Sequence, residues 1–104
     1  MSTKYCAVIT TAASKDDAKE IAKTLLEAKL AACIQLLSID SLYTWKGELA
    51  EEAEILLLIK TRSDLYEDLE KAIRAVHKYE TPEIIQLPIE HGFSEYLSWI
   101  DEVT

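Results

Sequence analysis

The sequence predicts an α+β domain: one four-stranded antiparallel sheet, two helices on one of its faces, and a short third helix at the C-terminus. Three observations lead there. Alternating, β-branched runs give way to helical spacing and return in the order β-α-β-β-α-β. A Lys46-Gly47 pair separates two long strand-like runs, as a tight hairpin requires. Pro88 interrupts the last strand-like run and confines it to a sheet edge, because proline lacks the N–H that an inner strand donates.

Residues 4–11, KYCAVITT, alternate and carry β-branched side chains, which predicts the first strand. Ser14 then offers a hydroxyl N-cap, and Asp16 and Asp17 suit the positive end of a helix dipole. Ala18, Ile21, Ala22, Leu25 and Leu26 form the apolar stripe of an amphipathic helix that packs on something flat. From Ala31 to Leu58 the pattern is two long strands joined at Lys46-Gly47, with Gly47 taking the positive φ of the turn. Ser63 is placed to cap a second helix whose apolar side is Leu65, Leu69, Ala72, Ile73 and Val76. Residues 82–89, PEIIQLPI, read as the last strand. FSEYLSWIDEV, at 93–103, reads as a short helix offering Tyr96, Leu97, Trp99 and Ile100 for burial. Right-handed crossovers put both long helices on the same side of the sheet, the ferredoxin-like arrangement.

That leaves the other face. Ile55, Leu56, Leu57, Leu58 and Ile59 are consecutive and apolar, so both faces of their strand require cover. One short helix cannot supply it. Residues 31–45 in extended form reach ~50 Å, whereas a domain of this size has a radius of gyration near ~13 Å. Part of the hairpin therefore bends or projects. A projecting edge carrying Leu42, Tyr43 and Trp45 invites pairing with another chain, and a closed ring of identical subunits removes that edge. A homo-oligomer is expected.

Composition narrows the function. The 104 residues make a single domain, 1–104, and the net charge of −8 argues against a nucleic-acid face. No apolar run approaches the ~20 residues that span a bilayer, and MSTKYCAV has no secretory h-region, so a cytoplasmic protein is expected. Cys6 and Cys33 are too few for a disulfide framework. The loop TTAASKDD holds neither a Cys-x-x-Cys pair nor an arginine to cradle phosphate, the chain's arginines being Arg62 and Arg74. No glycine-rich phosphate loop and no His-Glu-x-x-His occur, so the protein reads as non-enzymatic.

Several longer motifs stand in order along the chain: KLAACI at 29–34, SLYTWKGEL at 41–49, HKYETPEI at 77–84 and YLSWI at 96–100. Together with EILLLIKT in the place of a third strand, they resemble the CutA divalent-cation-tolerance family over nearly the whole chain. The resemblance implies a homotrimer of ferredoxin-like subunits, architecturally close to the PII signalling proteins. It also implies a link to tolerance of copper and other divalent metals, with copper binding in some members. Lys78 stands where the family has the proline of His-Pro-Tyr-Glu, and the usual Pro-Gly of the second strand is absent from LLSIDS. The family's copper-linked positions fall at Thr10, Val76 and His77, and His77 alone keeps its donor.

His77 ends the second helix, where a cation suits the dipole; it is either a cap or an imidazole ligand for copper. If Trp45 faces Glu48 across the turn, Cys33 falls opposite Lys60, and a thiol facing an ammonium is a better metal donor. A bulge within CIQLLS would break that register, and buried packing is the alternative role for the thiol. Tyr79, Glu80 and Glu83 flank Thr81-Pro82, where the proline starts the last strand and the carboxylates could meet a cation. The metal candidates are therefore His77, Cys33 and Glu83, for copper or another divalent ion. A second reading is a PII-like protein that holds a small anion in intersubunit clefts lined by Lys60, Trp45 and Tyr79. A third is a scaffold that anchors a partner protein.

Overall fold

The computed structural model describes residues 3–104. Alternating burial marks β1 (Tyr5–Ala12), whose Cys6, Val8 and Thr10 are fully enclosed. Ser14 caps α1 (Lys15–Glu27) by accepting the Asp17 N–H at 3.1 Å. Two long strands follow, β2 (Cys33–Trp45) and β3 (Glu48–Arg62), joined through Lys46 at φ 50 and Gly47 at φ 82. Two successive positive φ angles give the hairpin turn whose twist matches its strands. A 3-10 turn, Ser63–Leu65, leads into α2 (Tyr66–Val76), and β4 (Ile84–Ile89) and α3 (Ser94–Val103) complete the chain.

The sheet order is β2-β3-β1-β4, with every neighbouring pair antiparallel. β4 lies at an edge, the position Pro88 requires. The β2–β3 register runs unbroken from Trp45 opposite Glu48 to Cys33 opposite Lys60, so there is no bulge in CIQLLS. Alternation lapses there for another reason: Leu36 packs toward the core while Leu37, on the other face, is 52% exposed. Both α1 and α2 cover one face. Ala18, Ile21 and Leu25 of α1 and Leu69 and Ile73 of α2 enclose Val8, Leu57 and Ile59 of the sheet.

Three expectations need correction. Ser63 does not cap the second helix; it opens the 3-10 turn, and its N–H donates to Lys4 O at 2.8 Å. That bond pins the turn to the residue just before β1, and the α-helix begins a turn later. Leu26 is 42% exposed, because it sits roughly 100° around the helix from Leu25, which takes the core position. On α3, Ile100 is buried, while Tyr96 and Trp99 remain 40% and 37% exposed.

The face opposite the two long helices is only partly covered. There α3 is held by Asp101, which accepts from Tyr5 Oη at 2.6 Å and Lys4 Nζ at 3.1 Å. The Tyr5 hydroxyl first, then Lys4, holds the Asp101 carboxyl below the ordinary carboxylate range. Beyond α3 this face leaves Leu37, Ile85 and Leu87 at 52%, 44% and 44% exposed. The outer hairpin is barer still. β1 pairs with β3 only as far as Ile55, so Ile39–Trp45 and Glu48–Glu54 pair with each other beyond the sheet. The molecule is accordingly elongated, 44 × 28 × 22 Å.

Candidate functional site

The site grows from the corner after α2. His77 leaves the helix with extended backbone, φ −72 and ψ 139, while its N–H still donates to Ile73 O at 2.8 Å. Its ring then closes the corner. Nδ1 accepts the Tyr79 N–H at 3.0 Å, and Nε2 lies 2.7 Å from the Thr11 carbonyl. An accepting Nδ1 puts the hydrogen on Nε2, which donates to Thr11. The His77 and Tyr79 rings meet at 4.8 Å and 54°. Tyr79 in turn donates its Oη to Glu54 Oε2 at 2.7 Å, across to the hairpin. Burial first, then the Glu54 carboxylate, pushes the Tyr79 phenol far above its ordinary range. Lys78, in the family's proline position, turns away to pair with Asp17.

Between this corner and the projecting hairpin lies a groove of about 570 Å³. Tyr43 and Trp45 of β2 and Tyr79 of the corner give it aromatic walls. Glu52 and Glu54 of β3, with Glu80 and Glu83 of the corner, make it acidic. Burial, then Glu52, raises the Tyr43 phenol above its usual range. Period-two spacing places Tyr43, Trp45, Glu52 and Glu54 on one face of the hairpin, the face shared with Thr11. Residue type and spacing alone do not single out Glu52 and Glu54. Their signal was present in that alternation, but only the corner's return alongside the hairpin turns it into a groove.

The structure brings together Trp45, Tyr79 and Glu83 in the groove. His77 stands beside it as the pin of the corner. Cys33 and Lys60 lie elsewhere: Cys33 and Trp45 are the two ends of β2, about 40 Å apart at the usual strand rise. Cys33 faces Lys60 in the predicted register, but the Lys60 ammonium hydrogen-bonds to the Gln35 side chain. The thiol neighbours Tyr96, whose hydroxyl is pushed up by burial first and by Cys33 next. Thr10 is fully buried in the core between sheet and helices, away from the groove.

These positions do not make a metal centre within one chain. Both ring nitrogens of His77 are already engaged, and Cys33 is remote from Glu83. Among the described residues no three His, Cys, Asp or Glu side chains converge on one point. A transition-metal site needs several donors fixed in such a geometry. Nor do Lys60, Trp45 and Tyr79 form one cleft in a single chain. No helix among the described residues is long and apolar enough to cross a membrane.

The fold and groove define a small α+β protein with an uncovered sheet face that runs into an acidic, aromatic-walled site. Residues 6–103 match the family described as CutA1 divalent ion tolerance protein, and the chain belongs to that family. It is 44% identical over 99 residues to Protein CutA of Mus musculus, an alignment covering 94% of this chain and 56% of the mouse protein. The chain thus spans little more than half of that relative. It is also 44% identical over 92 residues to the divalent-cation tolerance protein CutA of Archaeoglobus fulgidus, covering 88% of this chain and 90% of that one. The crystal structure of the stable protein CutA1 from the psychrotrophic bacterium Shewanella sp. SIB1 superposes with a TM-score of 0.96 at 35% identity, covering 100% of this chain and 98% of the other.

Proposed function

We propose that the protein is a non-enzymatic homotrimer of ferredoxin-like subunits that acts in tolerance of divalent metals, copper among them. The ion is held where the acidic groove of one chain meets a neighbouring chain. The uncovered apolar face around Leu37, Ile85 and Leu87, running into that groove, carries the reading. Burying such a patch drives self-association, and a ring of subunits also covers both exposed edges. The names of the relatives support the metal link. Glu83, exposed on the rim, is this chain's readiest donor; His77 and Cys33 contribute only with donors from a second chain or with release of their present partners. Carboxylate oxygens accept hard divalent ions as well as copper, so selectivity rests with the partner's donors. Free Cys6 and Cys33 suit a reducing compartment, in keeping with a cytoplasmic location.

Sedimentation of the full chain is expected to give a trimer at micromolar concentration, and Leu87→Asp to dissociate it. Calorimetric titration with copper is expected to saturate, with weaker binding in Glu83→Gln. A monodisperse monomer, or copper binding unchanged by Glu83→Gln, overturns this assignment.

A further inference from the structure

We propose that the groove between hairpin and corner binds a small organic cation, an ammonium or guanidinium on a short alkyl arm. This goes beyond metal tolerance and does not rest on it, because every residue invoked belongs to one chain. Glu54 is the central observation. It is 8% exposed, lines the groove, and makes one side-chain hydrogen bond among the described residues, from Tyr79 Oη to Oε2 at 2.7 Å. Its other oxygen has no hydrogen-bond partner among those residues and is not shut off from solvent, so it is open to a ligand in the groove. A carboxylate fixed by one phenol keeps its remaining lone pairs for a cationic partner.

The surroundings do not supply that partner. Glu52, Glu80 and Glu83 add further carboxylates, and the one lysine lining the groove, Lys78, is paired with Asp17. A divalent ion does not suit the arrangement of a single chain, since among the described residues no three acidic, His or Cys groups converge to chelate one without a neighbouring chain's donors. An extended cation does. It can place its charge on Glu54, lay its alkyl arm against Tyr43, Trp45 and Tyr79, and reach Glu83 on the rim. The Lys46 ammonium already rests 5.8 Å from the Trp45 ring centroid, an intramolecular instance of the same contact. A groove of about 570 Å³ falls within the usual span of small-molecule sites.

The probe is agmatine, titrated into the full chain in buffer containing EDTA and followed by calorimetry. Trp45 fluorescence gives a second readout in a Trp99→Phe background, since the chain has two tryptophans. Saturable binding is expected, weakened ~10-fold by Glu54→Gln, where glutamine can still accept from Tyr79, and ~3-fold by Trp45→Leu. Glu83→Gln lies on an exposed position that leaves the fold intact, and is expected to weaken binding several-fold. Sodium butyrate should not bind, and magnesium chloride at matched ionic strength should not displace agmatine. Absence of saturation, wild-type affinity in both Glu54→Gln and Glu83→Gln, or equal displacement by magnesium overturns the proposal. Because the chelator removes transition metals, these results stand apart from success or failure of the copper titration.

Discussion

Replacing His77 by alanine strands two backbone groups at once. The Thr11 carbonyl loses its Nε2 donor at 2.7 Å and the Tyr79 N–H loses its Nδ1 acceptor at 3.0 Å. Thr11 is 6% exposed, so water cannot readily replace the lost donor. An unsatisfied buried polar group costs about 1–3 kcal/mol, with the lower end fitting the half-buried Tyr79 side of the corner. Losing the imidazole from the Tyr79 ring, 4.8 Å away, adds about 0.5 kcal/mol. The expected destabilisation is therefore about 2.5–4.5 kcal/mol. With a urea dependence of about 2 kcal/mol per molar, the midpoint should fall by about 1–2 M. Equilibrium unfolding in urea, followed by far-UV circular dichroism at one fixed protein concentration, measures it; the fixed concentration matters because an oligomer's stability depends on it. A midpoint unchanged by the substitution would mean that the imidazole carries no structural load. The pinning role would then be wrong, and His77 would be free to act as a ligand.

Gly47→Ala tests the hairpin turn: a Cβ there meets nothing within 4 Å, so the cost is purely that of φ 82, about 1 kcal/mol by thermal unfolding. Ser14→Ala removes the cap on Asp17 N–H and should cost about 1 kcal/mol in the same assay, whereas Ser63→Ala, which caps nothing, should cost far less. Tyr79→Phe tests the phenol–Glu54 bond through pH. A phenol whose folded pKa is raised contributes stability that is complete below its unfolded value, near ~10, and lost as pH rises through the folded value. The variant should therefore unfold less steeply with alkali than the wild type, and identical alkaline limbs would contradict the bond.

Much of this architecture was written in local pattern. Period-two and helical spacing place four strands and three helices, Lys46-Gly47 marks the turn, and Pro88 marks an edge. These features are legible because each depends on a residue's own backbone preference or on neighbours one turn away. Even the pairing of Cys33 with Lys60 follows by counting from the turn, since an unbroken antiparallel ladder fixes every later pair. Ser63 shows where local reading stops: its capping potential is real, but the bond of its N–H to Lys4, the residue before β1, decides the geometry.

What only tertiary structure decided is the company each side chain keeps. His77, Cys33 and Glu83 were joined as donors by residue type, yet Cys33 lies at the inner end of β2, far from the hairpin tip and the groove, and His77 spends both nitrogens on Thr11 and Tyr79. By sequence Glu54 is one more charge in an acidic strand; the corner's return beside it makes it a buried part of the groove wall. Sequence pattern settled the elements and their pairing because those arise from backbone geometry and near neighbours. The site arose from contacts between residues tens of positions apart, such as Thr11 with His77 and Glu54 with Tyr79, and only the folded chain sets those distances.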